Sequence, residues 1–433
     1  MFLAEMVFAT RLLGLVAGEQ SLQIQVEDPV RRVEVHRDGQ RIASLHQPPW
    51  IAQIDLGLEL EPHELTVVAF DAEGREVGRD TQALNVARPA AELGVLLDRD
   101  AKGQMTASIR WGHFAHQAPT KVIVKLDGRV VSKGHVISAV PLGNVDASKI
   151  HVLAVEASFR DGITSRREIA FGGGFSEQMP AEMTPVAVRQ RKNAPHVRAG
   201  CFATASGPLP EATVEDRAGS AFFILNGKPR LARNRDIGAR RGEDLFALHK
   251  TDIEVVNPVP ELIRRDDGVT RLFDFRTVPG ARGTRRLVMS SRTPFGPARV
   301  TDAVGAAALR ALRGGKRRVV VVVIGDMAAA DRSVHTPPVM RRYLERVGVP
   351  LRVWSLTGPR PDLTATWGPV IDVSTPAALL AATSDLRTEL NSQRVAWLPV
   401  SPLEAFRVRA SDDCAFVPLA GDLTPSDRAA SAR

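Results

Sequence analysis

His113 and His116 form the most evident candidate metal or acid–base pair in the chain, standing in Trp111-Gly112-His113-Phe114-Ala115-His116. No carboxylate cluster accompanies them, and both a zinc site and a general acid–base pair need further ligands or an orienting acid. They are read as residues of a sandwich loop or strand. Nucleophilic Ser/His/Asp chemistry on a strand-to-helix elbow needs Gly-x-Ser-x-Gly, which the chain lacks. The glycine runs at 172–174 and 314–315 lack the Gly-Lys-Ser/Thr ending of a phosphate loop. Gly314-Gly315-Lys316 also sits between a helical pattern and the following strand, the wrong order for holding phosphate at a helix N-terminus. The two cysteines, Cys201 and Cys414, exclude a disulfide scaffold and a zinc ribbon. A bridge between them would need an oxidising compartment, so two unpaired thiols are expected. No cofactor is implied.

The elements that must position any site follow from length and composition. At roughly 150 residues per domain, 433 residues predict about three domains. Hydrophobic content of 44% with 24% charged residues excludes wholesale disorder, and no run of about 18 uncharged apolar residues exists to span a membrane. The net charge of +8 arises from nine lysines and 48 arginines against 49 acids. A nucleic-acid binder would gather such charge on one face beside stacking aromatics. Here aromatics are sparse, with Tyr343 the single tyrosine, and the basic clusters at Arg282–Arg286 and Lys316–Arg318 are short. They are read as solvated surface, and no nucleic-acid partner is expected. Glu5 and Arg11 interrupt the apolar stretch at 1–18, which argues for a leading strand rather than a secretory signal.

An internal repeat organises the first half. Arg32-Val33-Glu34-Val35-His36 runs into Asp38-Gly39, a strong hairpin signal, and short strand patterns follow at Ile51–Ile54 and Leu65–Phe70 before a turn at Gly74. Val122–Leu126 then runs into Asp127-Gly128, His151–Val155 parallels His63–Val67, and Asp161-Gly162 parallels the Gly74 turn. The anchors recur at an offset of about 88 residues, too long for a solenoid unit but suited to Ig-like modules. This predicts β-sandwiches at 1–88 and 89–175, without an antibody-type cysteine pair. A linker or leading strand is expected at 176–214.

From about residue 215 the pattern changes to alternating strands and helices, predicting an α/β layer over 215–421. Val319–Ile324 is six consecutive β-branched apolar residues, as a parallel strand buried on both faces requires. Thr301 or Asp302 is the expected N-cap of the preceding helix, and Pro337-Pro338 opens the next. Leu351–Trp354 is the next strand, a helix begins near Pro376, and Arg394–Val400 returns as a strand. The first strand falls at Ala221–Leu225, and the tail at 422–433 is expected to be disordered.

Three stretches of this half carry a resemblance: Thr301-Asp302-Ala303-Val304, Val319–Asp326, and the run from Asp385 through Leu386, Leu390 and Gln393 to Trp397. With two Ig-like modules before them, they resemble bacterial proteins related to the von Willebrand factor A (VWFA) domain, which implies a Rossmann-like α/β fold. The resemblance also implies an exported or cell-envelope setting and a metal-ion-dependent adhesion site. That site needs Asp-x-Ser-x-Ser after the first strand, a Thr before a later helix and an Asp after the central strand, because a hard cation demands oxygen ligands. This chain reads Asn226-Gly227-Lys228-Pro229-Arg230, has Ala298 near the Thr position, and places Asp326 one residue late. Such a site is degenerate and is expected to hold no metal.

Ligands of open α/β sheets bind beyond the carboxyl ends of the strands. Asn226, Lys228, Arg230, Asp326 and Asp331 fall there and are the candidate binding residues. The expectation is a metal-free surface for an acidic group, against the alternative that these loops drifted once metal binding was lost. The whole chain is read as a non-enzymatic protein-interaction or scaffold protein. The alternatives are a metal-dependent adhesin and a hydrolase whose site assembles only in three dimensions.

Overall fold

The computed structural model describes residues 6–8, 12, 14–26, 30–87, 91–99, 104–113, 118–137, 139–143, 145–146, 150–160, 164–172, 184–191, 201–209, 212–228, 244–260, 263–264, 270–271, 273–279, 283–289, 291, 296–313 and 315–420. Two compact units divide the chain: Met1–Ala87 with Thr184–Glu261 and Phe273–Arg433, and Arg88–Met183 with Leu262–Leu272.

In the first unit, strands β1 (Met6–Phe8), β2 (Glu19–Val26) and β5 (Ile51–Asp55) form one sheet in the order β1-β2-β5. A second sheet, β4-β3-β6-β7, is built from β3 (Arg32–Arg37), β4 (Gln40–Leu45), β6 (His63–Phe70) and β7 (Glu76–Leu84). All pairings are antiparallel. Alternating residues of both sheets, among them Leu22, Ile24, Val33, Val35, Leu65 and Val67, share one buried core, which makes the pair a β-sandwich. Asp38 takes the left-handed φ of 52° at the predicted hairpin, a conformation Asp tolerates because its short side chain bonds locally.

The second unit repeats this plan. Its strands are β8 (Ala91–Arg99), β9 (Met105–His113), β10 (Lys121–Leu126), β11 (Arg129–Gly134), β12 (Ala139–Gly143), β13 (Ile150–Ser158) and β14 (Thr164–Gly172). They form sheets β12-β9-β8 and β11-β10-β13-β14 around a core containing Val122, Val124, Leu153 and Val155. The strand orders match those of the first sandwich one for one, the tertiary counterpart of the 88-residue offset. A short hairpin, β21 (Ile263–Arg264) with β22 (Thr270–Arg271), is assigned to this unit too. His113 ends β9, while His116, Asp161-Gly162 and Gly173-Gly174 lie outside the described residues.

The stretch expected as a linker or leading strand supplies β15 (Thr184–Gln190), β16 (Phe202–Thr204), β17 (Gly207–Pro208) and β18 (Thr213–Glu215). These belong to the first unit, where β15, β16 and β18 pair with its last strands, β27 (Gln393–Leu398), β28 (Arg409–Ala410) and β29 (Phe416–Pro418), and β17 pairs with β16. The predicted strand near Arg394–Val400 therefore forms, but it lies between β15 and β18 in an antiparallel sheet and does not join the parallel one. Its apolar pattern specified a buried strand without specifying a neighbour. Cys201 and Cys414 are disulfide-bonded inside this module, with Cα atoms 5.4 Å apart. That corrects the expectation of two unpaired thiols, which rested on the need for an oxidising compartment; the β15–β27 and β16–β28 pairings bring together two segments 213 residues apart.

Between these halves lies a six-stranded sheet of order β23-β20-β19-β24-β25-β26, with β19 (Gly219–Asn226), β20 (Thr251–Val256), β23 (Phe275–Pro279), β24 (Arg317–Ile324), β25 (Leu351–Ser355) and β26 (Val370–Asp372). All neighbours are parallel except β23, which is antiparallel to β20. Helices α2 (Val300–Leu312), α3 (Pro337–Arg346) and α4 (Pro361–Trp367) share one core with Phe222, Val320 and Val322. Helices α1 (Gly283–Met289) and α5 (Pro376–Ser392) pack with Phe223, Val321 and Val323 on the other face. Every residue of β24 is buried, the run Val319–Ile324 as its apolar residues demand and also Arg317 and Arg318, 4% and 5% exposed, which corrects the reading of these two as solvated surface. The molecule as a whole is mostly β-sheet with few helices. No helix among the described residues is long and apolar enough to cross a membrane.

Candidate functional site

The carboxyl ends of β19 and β24 are adjacent in the sheet, at the point where the strand order reverses, and ligand crevices of open α/β sheets form at such points. The two loops leaving them are joined by backbone. Lys228 N donates to Asp326 O at 2.8 Å and Asp326 N donates to Lys228 O at 2.7 Å. Glycine makes that approach feasible. A Cβ on Gly325 would lie 2.4 Å from the Lys228 carbonyl oxygen, and one on Gly227 would lie 2.8 Å from that of Asp326.

Each candidate side chain can now be placed. Asn226, 4% exposed, donates from Nδ2 to Ala329 O at 3.0 Å and accepts from Ala329 N at 2.9 Å, so its amide fastens one loop to the other. Lys228 is exposed, and Arg230 lies outside the described residues. Asp331 accepts hydrogen bonds from Val300 N (2.9 Å), Thr301 N (3.1 Å) and Thr301 Oγ1 (2.5 Å), and from Ser333 N (3.1 Å) and Oγ (2.6 Å). It thereby satisfies the open N–H groups at the start of α2, where negative charge also suits the helix dipole.

The expected cap is corrected accordingly. Arg299 is the N-cap residue and makes no side-chain cap bond, while Thr301 and Asp302 lie inside the first turn. Asp302 accepts from the backbone of Val334 (3.0 Å) and His335 (3.3 Å) and from Arg299 Nε (2.7 Å). Sequence spacing pointed to a local cap, whereas the acid used comes from 30 residues downstream.

A cleft of about 450 Å³ opens here, lined by Asn226, Asp331, Ser333, His335, Arg360 and Trp367 among others. Arg360 forms a two-pronged pair with Asp362 at 2.8 and 2.5 Å, and that guanidinium holds the Asp362 carboxyl down at about 2. Two large apolar side chains stand out from the segment between β24 and α3: Met327, 68% exposed, and Val334, 73% exposed. Met327 also holds a left-handed φ of 52°, which costs an unbranched residue roughly 1–2 kcal/mol. Neither residue was identifiable from its type, and only the Gly325-Asp326 turn hinted that this loop was unusual.

The donor set does not fit a hard cation. The Asn226 amide oxygen and both Asp331 oxygens are engaged by backbone and hydroxyl donors, and the loop paired with Asp326 presents the cation Lys228. Ala298 is a buried residue bridging to Asp331 and offers no hydroxyl. Among the described residues no three His, Cys, Asp or Glu side chains are grouped to hold a metal.

No family model matches the chain. No curated protein matches it. Among solved structures, it is similar to fibronectin(III)-like modules of Clostridium thermocellum CbhA at 15% identity and a TM-score of 0.17, covering 39% of this chain and 94% of that one. The central fibronectin-III array of RIM-binding protein gives 12% identity and a TM-score of 0.25, covering 44% of this chain and 76% of that one. A beta-glycosidase from Bacteroides vulgatus gives 8% identity and a TM-score of 0.21, covering 38% of this chain and 24% of that one. Likenesses at these TM-scores carry no argument about what the chain does.

Proposed function

We propose that this is a non-enzymatic interaction or scaffold protein whose Ig-like sandwiches accompany a degenerate VWFA-like α/β domain. In this reading the domain holds a protein partner at its strand-end face without metal. The observation that carries the proposal is that Met327 and Val334 both stand exposed on the segment that also supplies Ala328, Ala329, Asp331 and Ser333 to the cleft, where the polar groups of Asn226 and Asp331 serve the fold itself. Exposed apolar surface rimmed by polar residues is typical of protein-binding sites. Lys228 would supply the point charge for an acidic group on the partner. The sheet order, which in the sheet's own chain sequence is 3-2-1-4-5-6, is that of doubly wound nucleotide-binding folds and supports the α/β assignment.

The test is quantitative affinity capture from the source cells in the presence of a chelator, comparing the wild-type chain with Met327→Asp and Lys228→Glu. A protein retained by the wild type and lost with both variants is the expected result. Equal recovery by all three chains, or recovery only when Mg²⁺ or Ca²⁺ is restored, overturns the proposal. The second outcome would make the chain a metal-dependent adhesin.

A further inference from the structure

A second cleft, of about 540 Å³, lies in the first unit at the amino end of β25 and shares Trp367 with the strand-end cleft. Its floor is apolar, with Leu344, Val353, Trp367 and Ile371. Its walls carry Arg189 from β15, Arg341 from α3 and Arg352 from β25. This composition matches small-molecule sites, which combine an apolar lining with a few convergent polar groups in roughly 300–1,000 Å³.

The charges there do not cancel. Arg189 and Arg352 share one carboxylate, donating to Glu389 Oε1 at 2.7 Å and Oε2 at 2.8 Å. Among the described residues Arg341 pairs with Glu345, at 3.9 Å. Behind Gly348, which also lines the cleft, the buried Arg318 guanidinium donates to the carbonyls of Gly348 (3.0 Å) and Val347 (3.3 Å) rather than to a carboxylate. Burial pushes Arg318 down to about 10, the direction expected of a cation without a counter-charge. Among the described residues, these four guanidinium groups thus have two carboxylates, Glu389 and Glu345, as partners. The three on the walls keep 33–39% of their side-chain surface open, so donors remain available.

We propose that this cleft binds an amphipathic organic carboxylate, its head group received by Arg341 beside the Arg189–Arg352 pair and its apolar body lying on Leu344, Trp367 and Ile371. Guanidinium forks suit a carboxylate in geometry as well as charge. The floor excludes a bare inorganic anion as the best occupant, because it would leave the apolar surface uncovered.

Calorimetric titration of the full chain with octanoate tests this, with 1-octanol, acetate and inorganic phosphate as controls. Saturable octanoate binding is expected, with each control weaker by about tenfold or more. Arg341→Gln should weaken octanoate by about tenfold while leaving the melting temperature near that of the wild type. Ile371→Trp, which fills the floor, should weaken it independently. Octanol binding as tightly as octanoate, phosphate binding as tightly, no octanoate binding, or Arg341→Gln without effect in a folded chain would each overturn the proposal. Arg341 and Ile371 line this cleft and not the strand-end one, so the two proposals fail separately.

Discussion

His151 donates from Nδ1 to Asp127 at 2.7 Å, and this bond repeats one made 88 residues earlier, where His63 donates from Nδ1 to Asp38 at the same distance. In both sandwiches the aspartate holds a left-handed φ, 49° at Asp127 and 52° at Asp38. In both, its second oxygen accepts the backbone N–H of the residue after the histidine, Val152 at 2.9 Å or Glu64 at 3.0 Å. The repeated Asp-Gly is therefore one half of a clamp that ties a hairpin turn to the start of the facing strand. The histidine is the other half.

The clamp in the second sandwich should make stability depend on pH in a defined way. The hydrogen bond to Asp127 raises the His151 pKa above 6.5, and the bond from His151 lowers Asp127 below 3.8. The histidine's contribution is complete below its ordinary pKa and is lost as pH rises through the raised value. The aspartate's is complete above its ordinary pKa and is lost as pH falls through the lowered one. Asp127→Asn should thus destabilise most between those limits, by under about 1 kcal/mol because the pair is partly exposed and screened. Urea titrations at pH 5.5 and 8.5 check this, with the gap between wild type and variant narrower at pH 8.5.

The Cys201–Cys414 disulfide should matter more than any surface pair. Closing a loop of 213 residues restricts the unfolded chain by up to about 5 kcal/mol on the chain-entropy account. Cys201→Ser with Cys414→Ser, or reduction of the native chain, should lower the melting temperature of the first unit. Melting with and without dithiothreitol is the measurement, and the double variant should show no response to reductant.

Tyr343 joins the first sandwich to the α/β sheet. It is 1% exposed, and its hydroxyl donates to Asn85 O at 2.9 Å. Beside it Leu60, 1% exposed, enters the core of α2 and α3, and Arg342 forms an ion pair with Glu59. Tyr343→Phe should cost about 1 kcal/mol, the worth of one buried hydrogen bond. Leu60→Ala should cost roughly 2–5 kcal/mol through lost burial and a cavity. Denaturant midpoints at constant slope would verify both.

Asp331 and Met327 should separate fold from recognition. Asp331→Ala removes the acid that caps α2 and should destabilise by roughly 1–2 kcal/mol. Met327→Gly relieves a left-handed backbone and should leave stability unchanged or raise it by up to about 1 kcal/mol. Yet it should weaken partner capture as Met327→Asp does. Thermal melting alongside the capture assay tests this, and a large loss of stability in Met327→Gly would show that the side chain serves packing instead.

Much of the fold was legible in residue order alone, and for local reasons. Asp38-Gly39 and Asp127-Gly128 specify hairpins because few residues accept a left-handed φ, and Val319–Ile324 specifies a doubly covered strand because no polar residue interrupts it. The helix opened by Pro337-Pro338 follows from the fixed φ of proline. Tertiary structure alone decided which distant segments meet. Thr184–Gln190 pairs with Gln393–Leu398 across about 200 residues, carries Cys201 to Cys414, and makes the stretch expected as a linker or leading strand part of a sheet. It also decided that Asp331 caps α2 and that Asn226 binds Ala329, which removes from ligand binding two of the oxygen-bearing side chains that sequence position had offered. Backbone preference and apolar period act over a few residues and so are written in local order. Pairing partners and the use of a carboxylate are set by which folded surfaces bury together, and no local pattern encodes that.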